Sequence, residues 1–316
     1  MGRSFSGRGL AALVVAVVTV AAPGAAGVLS ASAIPPPARA TVLHRMVWDQ
    51  WVSTGKGIHL RSANPDGSDV RRVYDAPRGF MLDPTVDRAG RRVAFAPCCK
   101  SSYPLLVVAP VLGGRALQPL AHHRKFFFVG GVGWSPDGTR LAFEAKTNGT
   151  RRTSLWTIRP NGAGLRHVIT LPADREDQPV INRSLVWTAR GILYSDGRNL
   201  RSARAGRSHV VLRAVWSVVV SGDGHHIVTR RSNGSWWIGN PYGTGQRQLI
   251  PPQSPGSATS YFDLTPNYDG SSVLADRDIP DPVGSKNDFV QWPTIGSPGS
   301  AVVVPFLAHA NTATWN

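Results

Sequence analysis

The chain is 316 residues long and 42% hydrophobic, which excludes a disordered, collagen-like or disulfide-miniature protein and leaves room for one or two domains with a large core. Glycine (33) and proline (25) are abundant while only 17% of residues are charged, a balance that favours many short strands and tight turns over long solvated helices. The formal charge of +16 points to anionic partners, with the qualification that only five of the 35 basic residues are Lys, so an Arg-rich composition contributes to it.

The first forty residues read as a targeting segment. Arg3 and Arg8 precede a 13-residue apolar run from Leu10 to Ala22, and small residues then lead to Ala31-Ser32-Ala33, followed by Ile34-Pro35-Pro36-Pro37. That is the layout of a secretory signal peptide over residues 1–33. The alternative is an uncleaved signal anchor, because Leu10 to Ala33 is long enough to span a bilayer if Pro23 and Gly24 are tolerated. Residues 34–40, IPPPARA, read as a stiff Pro-rich linker, and the folded part as 41–316. The expected location is extracytoplasmic, meaning secreted, periplasmic or on the cell envelope.

The remainder is organised by a degraded repeat. Its clearest copy is VGWSPDGTRLAF at 132–143, followed after a polar loop by SLWTIRPNG at 154–162. It reads as strand, tight turn, strand, loop, strand, tight turn, strand. Weaker first turns stand at 87–90, 188–191, 221–224 and 267–270. Second turns recur at 64–67, 112–114, 205–206, 241–243 and, loosely, 296–299. Glycine belongs at these points because turns joining antiparallel strands need positive φ. The first unit lacks its first turn and begins at its second strand, His44 to Trp48, while the chain ends in an orphan strand, Asn311 to Asn316. Trp315 fills the slot that Trp134 and Trp187 occupy four residues before their turn glycines. The last strand therefore completes the first unit, and the predicted fold is an all-β, six-bladed propeller closed by its C-terminal strand.

The run WSPDGTRLAF followed by LWTIRPNGAGLR resembles the PD40 (WD40-like) repeat of TolB-type six-bladed propellers. The match is specific over 129–172, fair over 41–96 and 182–252, and poor over 253–316. The α/β domain of TolB and the hydrolase domain of prolyl oligopeptidases have no counterpart in the repeats read here. The resemblance raises protein binding as the expected role.

Aligned on the turn glycines, the inner strands split into two rows. Residues six and four before the glycine, such as Val132 and Trp134, are expected to form the core. Those seven and five before it, including Asp83, Thr85, Gly131, Gly133, Val186, Ser217, Asp263 and Thr265, are expected to line a central channel. Asp83 and Asp263 should stand near one mouth, where they would hold a divalent cation, water or a cationic ligand group, or else accept backbone N–H bonds. The metal, if one binds, is left open.

The long loops should all open on one face, and they carry His122, His123, Arg124, Arg151, Arg152, Arg230 and Arg231 with Trp51 and Trp236. A basic rim with interleaved aromatics suits an acidic protein or an anionic glycan; a solvated Arg-rich surface is the plainer alternative. Cys98 and Cys99, the only cysteines, fall in one of these loops and could close a strained vicinal disulfide in an oxidising compartment. Nucleophile-elbow, zinc-protease, phosphate-loop and sialidase signatures are absent. The two glutamates, Glu144 and Glu176, are assigned to binding-face loops. The expected function is a non-catalytic, exported, monomeric propeller that binds an envelope or extracellular protein or an anionic polymer, with no cofactor and no nucleic acid. The membrane would enter only through an uncleaved anchor. The alternative is a carbohydrate-active lyase or hydrolase, resembling oligogalacturonate lyases, that uses Asp83, Asp263, His122 and His309 at a metal-bearing channel mouth.

Overall fold

The apolar runs and glycine turns become twenty-three strands in the computed structural model, which describes residues 42–316 except 52–56, 77–80, 98–104, 151, 172–184, 205, 254–259, 282–283, 295–300, 308–309 and 316. The stretch read as a signal peptide, the stretch read as a linker, Arg151, Glu176, His309, Cys98, Cys99 and the loose turn at 296–299 lie outside the described residues, as do the side chains of Trp51 and Asp83.

Blade 1 is built from β1 (Met46–Trp51), β2 (Ile58–Ala63) and β3 (Arg71–Ala76), with β23 (Ala310–Trp315) hydrogen-bonded to β1 as its inner strand. Blade 2 contains β4 (Met81–Val86), β5 (Arg92–Pro97) and β6 (Val107–Pro110). Blade 3 contains β7 (Phe126–Trp134), β8 (Leu141–Thr147), β9 (Thr153–Ile158) and β10 (Arg166–Thr170). Blade 4 is β11 (Leu185–Thr188), β12 (Gly191–Ser195), β13 (Asn199–Arg204) and β14 (Arg207–Arg213). Blade 5 is β15 (Val215–Val220), β16 (Ile227–Arg231), β17 (Trp236–Gly239) and β18 (Arg247–Ile250). Blade 6 is β19 (Ser260–Pro266), β20 (Ser272–Asp281), β21 (Gly284–Pro293) and β22 (Val302–Val303). All the pairings are antiparallel, and the inner strands touch in the cyclic order β23, β4, β7, β11, β15, β19 and back to β23.

The ring is closed as the orphan strand predicts. Met46 stands opposite Trp315, Val47 opposite Thr314 and Trp48 opposite Ala313. The pairing removes the edge that β1 would otherwise present.

The core is not one mass but six wedges, one between each pair of neighbouring blades. Val47, Ile58 and Leu60 of blade 1 meet Val93, Phe95 and Val107 of blade 2, while Ala94, Ala96 and Val108 of that blade turn the other way onto Val132, Trp134 and Phe143 of blade 3. Alternate side chains of one strand thus enter different wedges. Both faces of each blade are buried, which is why β5 reads RVAFAP instead of alternating polar and apolar. Polar straps cross the same gaps: Trp134 Nε1 donates to the Thr85 carbonyl (3.0 Å), Ser195 Oγ to Val215 (3.0 Å), and Ser62 Oγ to Val111.

The turns behave as their sequences require. In the first turn of blade 6, Gly270 takes φ 71°, and a Cβ there would lie 2.6 Å from His226 Cγ. At Gly133 the requirement is different: its φ is ordinary, but a Cβ would lie 3.1 Å from the Leu185 carbonyl of the neighbouring inner strand. The smallness of that position reflects close approach of blade 4 rather than the channel alone.

Three expectations are corrected. Blade 2 has no fourth strand among the described residues, only a bridge between Val108 and Leu117, and Pro119 just beyond lacks the N–H to extend it. The segment Asp276 to Val290, one of the long loops expected from its polar and Pro/Gly-bearing sequence, lies largely within the ten-residue strands β20 and β21 of a long hairpin. Glu144 is not in a loop; it sits in β8 opposite Leu155 and is fully buried.

Cutting the chain after Leu307 tests the closure. The described side chains of β23 are small, but the wedge it seals between blades 6 and 1 holds Met46, Trp48, Leu274 and Phe289, each worth roughly 1.5–3 kcal/mol when buried. Against a total stability of about 5–15 kcal/mol, the loss should abolish the cooperative thermal transition and produce aggregation on size-exclusion chromatography. A truncated chain that melts cooperatively near the full-length temperature would contradict the closure.

Candidate functional site

The inner strands surround a cavity of about 160 Å³ walled by Thr85, Gly131, Val186, Ser217, Val219, Asp263, Thr265 and Thr314 among others. It runs to the first turns, where Arg88, Pro136 and Asp223 border it. The small-residue row therefore does line a channel. Val186 departs from the simple split, because it also packs into the wedge between blades 4 and 5 with Leu193 and Val218.

Alternation fails at the long-loop end, and it fails in the same place in several blades. The register slips between Leu82 and Thr85, between Val129 and Val132, between Val215 and Ser217, and between Tyr261 and Leu264. Each slip is a β-bulge, which leaves extra residues without ladder partners and re-aims their side chains. Asp83, Gly131, Trp216, Phe262 and Asp263 all lie in these bulges. A further slip on β7, between Phe126 and Phe128, frees Phe127. Phe127 (52% exposed), Trp216 (49%) and Phe262 (41%) are thus three large aromatics set out at the long-loop end of the inner strands, with Trp216 and Phe262 on neighbouring blades. The sequence reading missed them. Nothing in FFF, VWS or YFD marks a bulge, and alternation counted from the turn glycine puts Trp216 and Phe262 in the core row and Phe127 in the channel row.

Below them lies a charged group. Asp263 borders the channel, and burial pushes its carboxyl up while Arg230 pulls it down. Asp276, on β20 opposite the Phe262–Asp263 bulge, is pushed up to about 7, first by burial and then by the charges of Asp263, Asp278 and Asp288. Its Oδ1 is buried and accepts no hydrogen bond among the described residues. Arg277, one position further, is taken up by Asp288 in a two-pronged ion pair at 2.8 and 2.6 Å.

The structure brings Arg230, Trp236 and Asp263 to one end of the channel but gives them different tasks. Arg230 stacks 5.6 Å from the Trp236 ring. Trp236 itself is buried and donates Nε1 to the Tyr261 carbonyl at 3.3 Å, so it straps blade 5 to blade 6 instead of facing a ligand. Arg231 points away, bonded to the Arg213 carbonyl and to Gln246. His123 is drawn to the Gly162 carbonyl (3.2 Å) in the β9–β10 turn, away from the channel mouth, and His122 beside it is exposed. Arg124 and Lys125 abut the Asn148 loop through their carbonyls, and the Lys125 ammonium lies 4.0 Å above the Trp156 ring. Arg152 is exposed on the same side. Among the described residues no three His, Cys, Asp or Glu side chains converge as a metal site would require.

No family model matches the chain, and no curated protein matches it in sequence. Solved structures do. TolB from Acinetobacter baumannii superposes with a TM-score of 0.61 at 13% identity, covering 86% of this chain and 66% of that one, just under two thirds of its length. A chain of the nidogen/laminin complex gives 0.57 at 10% identity, covering 86% of this chain and 97% of that one. A GH74 enzyme from Niastella koreensis gives 0.50 at 12% identity over 71% of this chain and 37% of that one. Likeness at this level of identity is likeness of fold, and proteins this different share it. The chain has the six-bladed propeller fold seen in TolB.

Because the Asp276 carboxyl rises from the ordinary value near 3.9 to about 7, the folded protein holds a proton between those values that the unfolded chain has released. Stability should therefore fall as pH rises from about 4 to 7 and level off above. Replacing Asp276 by Asn should flatten that fall, leaving melting temperatures similar at pH 4 and higher in the variant at pH 8. Parallel pH profiles for the two proteins would show that Asp276 ionises normally.

Proposed function

We propose that this chain is an exported, non-catalytic recognition module whose long-loop face binds a protein partner at the channel mouth. The observation that carries the reading is the set of bulged aromatics. Phe127, Trp216 and Phe262 are held by rigid inner strands yet 41–52% exposed, at positions where the ladder would otherwise bury them. Large side chains with few rotatable bonds, set beside an Arg and fixed on a scaffold, are the usual anchors of a protein interface. The extracytoplasmic location rests on the signal-like segment 1–33.

The test is capture from an envelope or extracellular extract, followed by titration of the captured protein against wild type and against Trp216→Ala and Phe262→Ala. Trp216→Ala should weaken binding by tenfold or more, the scale of a central aromatic anchor at about 2 kcal/mol. Equal affinity of the doubly substituted protein would overturn the reading.

One observation favours a second reading, a carbohydrate-active enzyme. Asp276, pushed to about 7 by burial and by the charge of Asp263 beside it, is the kind of carboxyl that can give or take a proton near neutral pH. That reading requires depolymerisation of a glycan, a polyuronate among them, with activity lost in Asp276→Asn. Absence of cleavage across neutral and acidic glycans would leave the recognition module standing.

A further inference from the structure

The opposite, tight-turn face carries a charge pattern of its own, made by residues outside the long-loop set. In or beside the turns of blades 2 to 4 stand Arg91, Arg115, Arg159, Arg166, Arg204 and Arg207, all exposed. None of the six is ion-paired to a carboxylate among the described residues. The acids of the same turns are committed elsewhere. Asp87 is buried, receives backbone N–H groups and pairs with Arg92 at 2.8 Å. Asp137 closes its own turn through Ser135 and Thr139. Arg140, bonded to Thr157 and the Gly164 carbonyl, is pushed down first by burial and then by the charges of Arg166 and Arg159, which Asp137 partly offsets.

A second, independent observation concerns where the chain joins the ring. β1 begins at Met46, which pairs with Ala63 just before the second turn of blade 1, so the polypeptide reaches the propeller on this same face. Leu43 donates its backbone N–H to Ala89 in the first turn of blade 2 (3.0 Å), and His44 packs edge-on against Tyr268 in the first turn of blade 6 (5.3 Å). The described chain thus enters the propeller on this face, and the sequence before it contains a Pro-rich stretch and an apolar run. The same face also bears exposed apolar tips, Leu112 (53%) and Tyr242 (54%).

From these we infer that the tight-turn face is a docking surface for an anionic phospholipid bilayer, with the guanidinium groups of blades 2 to 4 on the lipid phosphates and the long-loop face held outward. Arginine suits this use because its planar fork grips phosphate oxygens in pairs and stays charged at any working pH. The inference does not depend on the partner proposed for the other face.

Residues 40–316 form one compact unit with all six blades and the closing strand inside it, so the propeller can be examined without the apolar segment that would insert by itself. Co-sedimentation with phosphatidylglycerol-containing vesicles should exceed that with pure phosphatidylcholine and fade with salt. Each basic residue near such a surface contributes about 1 kcal/mol, so changing Arg91, Arg159, Arg166 and Arg207 together to Gln should cut the partition coefficient by at least about a hundredfold. Arg124 and Arg152 changed to Gln, on the long-loop face, should leave it within about twofold. Unchanged thermal melting of both variants separates lost docking from lost fold. Vesicle binding that is no stronger for phosphatidylglycerol, or that falls equally in the long-loop variant, would overturn the assignment. Binding of a soluble polyuronate through the four arginines without vesicle binding would also overturn it, by giving the face to a polymer.

Discussion

Everything in this molecule depends on the five residue pairings that β23, from the far end of the chain, makes with β1. An open array of blades would leave β1 with an unpaired edge and one wedge of core exposed. With β23 in place, each wedge has two walls and the inner strands meet in a cycle. The constraint is topological: each of the six wedges needs a blade on both sides, and without β23 the wedge between blades 6 and 1 loses part of one wall. The polar straps from Trp134, Ser195 and Trp236 add direction to what the apolar wedges supply in energy.

Closure also divides the molecule into two faces with different chemistry. Tight turns leave little freedom for side chains, so the tight-turn face is a shallow surface whose character comes from charge. The long-loop end is where the inner strands bulge, and there the ladder releases individual residues to face outward. Arginine and the path of the chain mark the first face; bulged aromatics and a carboxylate pair mark the second. The two proposals made for these faces are compatible, since one holds the ring against a surface and the other leaves its opposite side free for a partner.

The architecture was legible because it is written in glycine turns and in one mismatch of ends. The turn sequences WSPDG and RPNG locate strands within a residue or two, and Trp315 gives the closing strand its register. The site was less legible, for physical reasons. A bulge has no signature in segments such as VWS and YFD, so alternation alone places Trp216 and Phe262 in the core row. Trp236 looked like a rim aromatic because it follows a polar loop, yet it is needed to bridge two blades. His123 was placed near the mouth by its position between strands, but in the segment after β6, where the described residues form no fourth strand, it is drawn to the Gly162 carbonyl in the β9–β10 turn. Charge was read by loop length, which overlooked how many arginines the short turns carry.

Native-state hydrogen exchange at the backbone amides of β23 tests the central claim most directly. If Ala310 to Trp315 seals the ring, those amides that bond to β1 should exchange only through global unfolding, at the same free energy as the amides of Met46 to Gln50. Exchange of β23 by local fraying, while β1 and the inner strands of the other blades stay protected, would contradict the account.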